Sequence, residues 1–202
     1  GSLEIITGFN HKIHAVTIDN SSEELWEFAI DDSAESNVRN PVVLGDIDKD
    51  DKLEAICAFS MGKLVVLNVE DGSVAWKRES RDLHSWFLRY NFDTAPALGD
   101  VDGDGDLDVI LPGWVKSQDG GGALLAYDGK SGNVLWKFKT TKQLKSSAGI
   151  ADVDGDGKLE VVLASNQERK VYAINGESGE ISWEYTTPYE ISSDPAIYDV
   201  DG

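Results

Sequence analysis

The chain has 202 residues, a formal net charge of −19 and a single cysteine. Its length allows a substantial hydrophobic core, and an all-β fold of this size can be one domain. The acidic charge and the lack of a Lys/Arg cluster exclude a nucleic-acid partner. One cysteine excludes an internal disulfide framework, and no apolar run is long enough to span a membrane as a helix.

The opening segment SLEIITGF is predicted to be a strand, because it matches the apolar stretch that follows each acidic loop further along the chain. Gly1 and Ser2 before it are typical of a vector remnant, so the sequence does not test for a signal peptide. Cys57 lies in a later apolar stretch of the same kind, where a small buried hydrophobe is its expected role.

Three acidic loops share one nine-residue pattern, and a fourth copy begins near the C-terminus. They read DIDKDDKLE from Asp46, DVDGDGDLD from Asp100, DVDGDGKLE from Asp152 and DVDG from Asp199. Carboxylates at loop positions 1, 3, 5 and 9, with the backbone carbonyl at position 7, supply the hard oxygen ligands that calcium prefers. Because such closely spaced carboxylates repel one another without a cation, we expect a structural Ca²⁺ ion in each complete loop.

The predicted ligands lie in three complete sites and one partial site. They are Asp46, Asp48, Asp50, Lys52 and Glu54 in loop 1; Asp100, Asp102, Asp104, Asp106 and Asp108 in loop 2; Asp152, Asp154, Asp156, Lys158 and Glu160 in loop 3; and Asp199 and Asp201 in the partial copy. A fourth ion would require Asp199 and Asp201 to meet Glu4 across the chain ends. Loop 1 is expected to bind more weakly, because Asp51 replaces the glycine at position 6.

The loops are not EF-hands, since position 12 holds Cys57, Leu111 and Leu163 instead of glutamate. Each loop is followed by a short apolar, partly β-branched stretch, which predicts a loop that leads into a strand. The alternative interpretation is a polar hairpin turn, because Asp and Gly are common turn residues.

A second repeat alternates with the acidic loops. Trp26, Trp76, Trp136 and Trp183 each follow a similar turn, with a spacing near 50 residues that is typical of propeller blades. In the best-defined copy we predict strands at residues 148–151, 159–164, 170–174 and 181–185, with a turn at 176–179. The class is therefore all-β, with four-stranded antiparallel blades arranged as a β-propeller. The tryptophans are interpreted as wedges between blades, with ligand stacking as the alternative.

The chain divides into approximate repeats of one propeller or propeller fragment. Their bounds are 1–40, 41–94, 95–146 and 147–193, and residues 194–202 start or close a further blade. A closed four-blade ring, part of a larger ring and an exchange between two chains remain open. We expect closure of some kind, with residues 195–200 pairing with residues 3–7, because two apolar strand edges would otherwise be exposed.

The motif DVDGDGxLE followed by a hydrophobic strand resembles the FG-GAP (VCBS) repeats of integrin-α-type β-propellers. The resemblance implies that the aspartate loop joins the first two strands of a blade and binds calcium. The AxDxxSGxxxW pattern at residues 126–136, and its close copy at 173–183, look like the tryptophan-docking motif of quinoprotein-type propellers. The chain departs from the FG-GAP pattern by lacking the FG-GAP dipeptides and by showing fewer copies than an integrin propeller.

Two long connections are candidates for ligand binding, since long loops on rigid scaffolds often hold function. They cover residues 78–94 and 113–122, on the face opposite the acidic loops. Aromatic side chains mixed with basic ones suit a sugar or a protein partner, although the aromatics could equally form a small local core. The candidate residues are Arg81, His84, Trp86, Arg89, Tyr90, Trp114 and Lys116.

The predicted function is an adhesion or ligand-binding module, extracellular or at the cell surface (secreted or periplasmic), that is stabilised by calcium and binds a protein or carbohydrate. Self-association is expected if the ring is incomplete. No catalytic constellation is visible, because His11, His14 and His84 are scattered. The rival hypothesis is an enzyme. A rhamnogalacturonan-lyase-like propeller would need a basic residue near the sugar. A quinoprotein-like propeller shares the tryptophan motif, but many quinoproteins carry adjacent cysteines and this chain has one cysteine.

Overall fold

The computed structural model describes residues 3–18, 23–30, 36–80, 90–115 and 120–199. The described chain consists of short strands and one 3₁₀ turn, Ser60–Gly62. The strands are β1 (Glu4–Phe9), β2 (Lys12–Thr17), β3 (Glu24–Ala29), β4 (Val43–Gly45), β5 (Glu54–Phe59), β6 (Lys63–Asn68), β7 (Val74–Glu79), β8 (Tyr90–Asn91), β9 (Ala97–Gly99), β10 (Asp108–Val115), β11 (Gly122–Tyr127), β12 (Val134–Thr140), β13 (Gly149–Ala151), β14 (Glu160–Ser165), β15 (Lys170–Asn175) and β16 (Ile181–Thr186).

These strands form four antiparallel sheets in chain order, which we number 1 to 4. Sheet 1 is β1-β2-β3, sheet 2 is β4-β5-β6-β7 and sheet 4 is β13-β14-β15-β16. Sheet 3 has the order β12-β11-β10, and both β9 and β8 pair with β10. The predicted all-β propeller fold is confirmed, and the four strands predicted in the last complete repeat lie within one residue of the observed ones.

The hydrophobic cores lie between successive sheets, because strand residues alternate between the two faces of a sheet. In β5, Ala55 and Cys57 face sheet 1 and share a core with Ile13, whereas Ile56 faces sheet 3 and shares a core with Val109. A third core joins sheets 3 and 4. Cys57 is completely buried, which confirms its predicted role as a buried hydrophobe, and this burial raises the pKa of its thiol.

One tryptophan connects each of the first three sheets to the next sheet by a hydrogen bond. The indole Nε1 of Trp26 donates to the carbonyl of Val69 at 2.8 Å, that of Trp76 donates to Gly129 at 2.6 Å, and that of Trp136 donates to Gly176. Each acceptor lies in the turn between the last two strands of the following sheet, which we call the docking turn. The wedge interpretation is therefore confirmed for these three residues.

A glycine in each docking turn lies against the indole ring. Gly72, Gly132 and Gly179 have φ values of +71°, +68° and +70°. A Cβ added to any of them would lie 2.7 Å from an atom of the neighbouring indole. Glycine is required at these positions both by the left-handed backbone and by the close approach of the ring.

Closure of a ring within this one chain is wrong for the described residues. Strand β1 pairs with β2 alone, so sheet 1 has three strands. Residues 195–199 do not pair with β1; instead Ile197 lies beside Gly149 of sheet 4. The described part of the chain is thus an open array of sheets, as expected for part of a larger propeller.

The tryptophan contact can be tested with two glycines that differ only in their surroundings. Gly132→Ala adds a methyl group against Trp76 at a left-handed position, whereas Gly155, with φ of +80°, has nothing within 4 Å of an added Cβ. We expect Gly155→Ala to lower the free energy of unfolding by about 1 kcal/mol from backbone strain alone. Gly132→Ala should cost about 2–4 kcal/mol, because overpacking adds to that strain. Urea unfolding in a chelator measures both variants, and equal losses would contradict the proposed role of the indole contact.

Candidate metal sites in the acidic loops

Each acidic loop joins the first strand of a sheet to the second, as the sequence predicts. Loop 1 runs from β4 to β5, loop 2 from β9 to β10 and loop 3 from β13 to β14. The three loops share one backbone conformation, with left-handed residues at positions 4 and 6. Loops 2 and 3 place glycines there, with φ values between +78° and +95°, whereas loop 1 places Lys49 at +58° and Asp51 at +66°.

The acid at position 9 is the innermost group of each loop. One oxygen of Glu54, Asp108 and Glu160 accepts a hydrogen bond from the backbone N–H at position 2, at 3.0, 2.9 and 3.1 Å respectively. These carboxyl groups are almost completely buried, since each begins the strand that leads into the core. The strand therefore fixes the carboxylate, and the carboxylate in turn fixes the loop.

One carboxylate oxygen in each loop is buried without a hydrogen-bond partner. These atoms are Asp48 Oδ1 in loop 1, Asp108 Oδ1 in loop 2 and Glu160 Oε1 in loop 3. A buried charged oxygen is costly unless a hydrogen bond or a cation compensates it. All three belong to the carboxylate groups in which calcium was predicted.

The carboxylates converge on one point in each loop. In loop 2 the oxygens of Asp100, Asp102 and Asp108 lie within 4.8 Å of one another, and in loop 3 Asp152, Asp154 and Glu160 do the same. In loop 1 the group is Asp46, Asp48 and Asp50, and Glu54 is not part of it. Carboxylate oxygens at this separation suit a hard divalent cation such as calcium.

Burial and mutual repulsion perturb these acids. Burial, with repulsion from the neighbouring Asp102 and Asp104 as a smaller cause, raises the pKa of Asp108 to about 7. Burial likewise raises the pKa of Glu54, Glu160 and Asp102. A cation within the loop would oppose these shifts by favouring the ionised carboxylates.

The predicted ligands at positions 5 and 7, Asp50 of the loop 1 group among them, have further contacts. The side chains of Asp50, Asp104 and Asp156 accept the backbone N–H of position 7, which holds Lys52, Asp106 and Lys158. Lys52 and Lys158 form ion pairs with Glu70 and Glu177, and Asp106 lies 3.3 Å from Lys49 of loop 1. Asp199 is exposed, and Asp201 lies outside the described residues.

The candidate ligand-binding residues are mostly beyond the described structure. Arg81, His84, Trp86, Arg89 and Lys116 lie outside it. Tyr90 is 2% exposed and belongs to the core between sheets 2 and 3, which favours the alternative of a local core at that position. Trp114 is half-buried, donates to Asp93 at 2.9 Å and lies under the ammonium group of Lys145.

A further group of possible ligands was not anticipated from the sequence. His14, Glu24 and Glu27 meet across β2 and β3, with His14 Nδ1 2.8 Å from Glu24 Oε2. Lys12 already forms an ion pair with Glu27 at 2.6 Å. The pairing of His14 with Glu27 in adjacent strands could have been found only from the register of the hairpin.

The comparisons with known proteins find similarity to β-propellers, quinoproteins among them. Residues 104–200, just under half of the chain, match the PQQ_2 family, described as outer membrane protein assembly factor BamB. No curated protein matches the chain. In the part of the chain that the structure describes, no helix is long and apolar enough to cross a membrane.

Solved structures with similar folds are considerably longer than this chain. The quinohemoprotein alcohol dehydrogenase of Comamonas testosteroni is 12% identical, with a TM-score of 0.65 over 91% of this chain and 33% of that one. The corresponding enzyme ADHIIG of Pseudomonas putida HK5 is 14% identical, with a TM-score of 0.65 over 95% and 37%. The WD40 domain of Neurospora crassa Pan2 is 13% identical, with a TM-score of 0.54 over 92% and 47%. At these identities the similarity establishes the fold alone.

The assignment to FG-GAP repeats was therefore wrong. The matched residues include the position-9 acids of loops 2 and 3 and the last two of the recurring tryptophans. The matching family is nevertheless of the BamB type and not of the integrin type. The acidic loops gave the FG-GAP resemblance, whereas the family match takes in the last two of the recurring tryptophans.

Replacing the buried acid of loop 2 should change the melting temperature in opposite directions in the absence and in the presence of calcium. Without cations, the raised pKa of Asp108 means that the folded chain holds this proton more tightly than the unfolded chain. Its contribution to stability is thus present at low pH and is lost as pH rises towards about 7.

In EDTA at pH 8, Asp108→Asn should raise the melting temperature. With calcium present, the same substitution should lower the melting temperature, because a calcium ligand is lost. Glu190→Gln, at an exposed acid, is the control. A change of the same sign in both buffers would contradict a cation site.

The backbone strain of loop 1 can be tested by a reciprocal pair of substitutions. Asp51→Gly should relieve about 1 kcal/mol of left-handed strain and tighten calcium binding by loop 1, whereas Gly157→Asp should weaken loop 3 by a similar amount. Position 157 has nothing within 4 Å of an added Cβ, so strain is the main effect there. Calorimetric titration with calcium measures both, and equal affinities in the two variants and the parent would refute this account.

Proposed function

We propose that this chain is part of a quinoprotein-type β-propeller that acts as a calcium-stabilised protein-binding scaffold and not as an enzyme. The observation that carries the cation assignment is the buried, unpartnered carboxylate oxygen in each acidic loop. Three separate loops place such an atom beside two further acids. Calcium is preferred over magnesium, because loops rich in carboxylates and carbonyls suit its larger and more flexible shell.

The scaffold role is supported by the family match and by the distribution of residues. The matching family is described as an outer membrane protein assembly factor, and an assembly factor acts by binding proteins. Tyr90 and Trp114 lie at the end of the sheets opposite the acidic loops, because β10 begins at loop 2 with Asp108 and pairs with β8 at its other end. A protein partner would bind at that face. The family description also supports a location in the cell envelope or outside the cytoplasm.

A quinone cofactor does not fit the described residues. The chain spans about a third of the two quinohemoprotein dehydrogenases, so their activity does not extend to it. Its single cysteine is buried within the sheet. The cleft of about 540 Å³ beside sheet 4 is lined mainly by apolar residues, with Asp154 and Ser182 among them. The described residues of this cleft offer no basic side chain to pair with the carboxylates of pyrroloquinoline quinone.

Calcium binding predicts a concentration-dependent gain in stability. A ligand that binds the folded state alone stabilises it by RT ln(1 + [L]/Kd), which is about 2.7 kcal/mol at 100 times Kd. We expect the melting temperature to rise in millimolar calcium, and native mass spectrometry to show one ion for each complete loop. A variant carrying Asp108→Asn and Glu160→Gln should retain only the ion of loop 1. Identical melting curves in calcium and EDTA would overturn the assignment.

The scaffold role is separated from catalysis by a dye-reduction assay. The chain is incubated with pyrroloquinoline quinone, calcium, a primary alcohol and an artificial electron acceptor. No turnover above the protein-free control is expected. Turnover that depends on both the quinone and the chain would instead favour the enzyme.

A further inference from the structure

One stretch of this acidic chain carries only positive charges. Residues 129–151 contain five lysines and neither Asp nor Glu, although the chain has a net charge of −19. The stretch includes β12 and the connection from β12 to β13. Because other residues separate the lysines, the sequence alone does not show a basic cluster. We call four of them, Lys137, Lys139, Lys142 and Lys145, the lysine group.

The lysine group lies towards the end of sheet 3 that is opposite the acidic loops. Thr140, the last residue of β12, pairs with Gly122 of β11, and Gly122 pairs with Trp114 near the end of β10. Strand β10 begins at loop 2, so Trp114 and Thr140 lie at the other end of the sheet. The connection that follows Thr140 therefore adjoins the face proposed for a protein partner.

The connection from β12 to β13 is held in place along its length. Glu168 accepts hydrogen bonds from the backbone N–H and the hydroxyl of Thr141, at 2.7 and 2.6 Å, and Asp194 accepts one from the N–H of Ser147 at 2.7 Å. Between these two points, Leu144 is completely buried in the core that joins sheets 3 and 4. Both acids thus bond to the backbone of the connection and not to its lysines.

The lysine group has no acidic partner among the described residues. Other lysines form ion pairs, such as Lys12 with Glu27 and Lys170 with Glu184, but within the described ranges none of these four does so. Lys137 is half-buried, and the other three lysines are exposed. Burial lowers the pKa of the Lys137 ammonium group, a shift that a neighbouring carboxylate would oppose.

Protection of a sheet edge explains only part of this pattern. Lysines on an edge strand hinder pairing with other chains, and β12 is the outer strand of sheet 3. That role accounts for Lys137 and Lys139 but not for Lys142 and Lys145, which lie beyond the strand. The corresponding two positions in the other outer strands, which include an acid in each case, are Glu27 and Ala29 in β3, Lys77 and Glu79 in β7, and Glu184 and Thr186 in β16.

Two members of the lysine group lie over aromatic rings. Lys145 Nζ is 5.2 Å from the centre of the Trp114 ring, and Lys137 Nζ is 4.8 Å from that of Tyr90. Such contacts orient an ammonium group without neutralising its charge. Lysine attracts carboxylates as a point charge, whereas arginine, which nucleic-acid recognition favours, does not occur in residues 129–151. The surface therefore combines positioned positive charges with a half-buried indole.

We propose that the lysine group and Trp114 bind an acidic segment of a protein partner, one that carries several Asp or Glu residues. The proposal rests on the protein-binding role proposed for the chain and names the chemistry of the partner. The acidic loops would repel the same segment, so attraction is confined to the opposite end of the sheets. A long polyanion such as a nucleic acid is disfavoured, because it would also meet the net charge of −19.

A short fluorescent peptide of alternating Glu and Ser tests this proposal, with the same peptide carrying Gln in place of Glu as its neutral counterpart. Fluorescence anisotropy measures binding to the full chain at low ionic strength in EDTA. We expect the Glu peptide alone to bind, and added salt to weaken its binding. The double variant Lys142→Glu, Lys145→Glu should bind at least about tenfold more weakly. Lys130→Glu, an exposed lysine at the other end of sheet 3, is the control and should bind as the parent does.

Lysine acetylation, mapped by peptide mass spectrometry, gives a second measurement on the parent chain. The Glu peptide should slow the modification of Lys139, Lys142 and Lys145 and leave that of Lys130 unchanged. This readout needs no substitution. Melting temperatures equal to that of the parent should show that the variants are folded.

Four results would overturn the proposal. They are no binding of the Glu peptide, unchanged binding by the double variant, binding that requires calcium and so reflects a bridge to the acidic loops, and binding of single-stranded DNA or a sulfated oligosaccharide in place of the peptide. Equal binding of the Gln peptide would overturn the acidic preference and leave the protein-binding role standing. Failure of that role would appear separately, as quinone-dependent turnover in the dye-reduction assay.

Discussion

The structure depends on one contact, an indole that lies on a glycine of the next sheet and donates its N–H to that sheet's backbone. The strands within each sheet are short, and a single sheet cannot bury both of its faces. Stability must therefore come from the contacts between sheets, as in other repeat proteins whose units contact only their neighbours. Here Trp26, Trp76 and Trp136 provide the polar anchor, and alternating residues such as Ile56 and Ile110 provide the apolar area. Because the same contact recurs, one geometry sets the position of every sheet.

The acidic loops are connected to that contact through their second residue. Ile47 and Val101 reach the following docking turn, while the N–H groups of the same two residues bond to the buried acid at position 9. A cation held by the loop would thus fix a residue that packs between sheets. It would also reduce the repulsion among the acids that make up much of the net charge of −19. On this account, calcium stabilises the array of sheets as well as the loop itself.

Local patterns in the sequence predicted the local structure well. Short β-branched stretches, Asp-Gly turns and the recurring tryptophan placed the strands of the fourth sheet within one residue, because each signal acts over a few residues. The convergence of Asp100, Asp102 and Asp108 was likewise predictable from their spacing. The acid at position 9 could be recognised as a ligand, but its nearly complete burial depends on strands from elsewhere in the chain.

The errors concern relations between distant segments. Pairing of residues 195–200 with β1 was inferred from similar sequences, yet β13 already offers residues 194–199 a place beside sheet 4. The family was inferred from the acidic loop, which recurs as a unit. The arrangement of neighbouring sheets is expressed in single residues such as Gly132 that are far apart in sequence.

The turn of sheet 1 that corresponds to the docking turns has a consequence for how such an array can go wrong. Similar units that dock head to tail can also exchange partners during folding, which produces swapped assemblies with too many or too few units. In sheets 2, 3 and 4 the N–H that opens the turn bonds to a carbonyl five residues on, whereas in sheet 1 the N–H of Thr17 bonds to the carbonyl of Glu23, six residues on. The sequence between Thr17 and Glu23, IDNSS, has no glycine. A turn of different length and composition distinguishes sheet 1 from its neighbours, which disfavours the exchange of an indole between near-identical units.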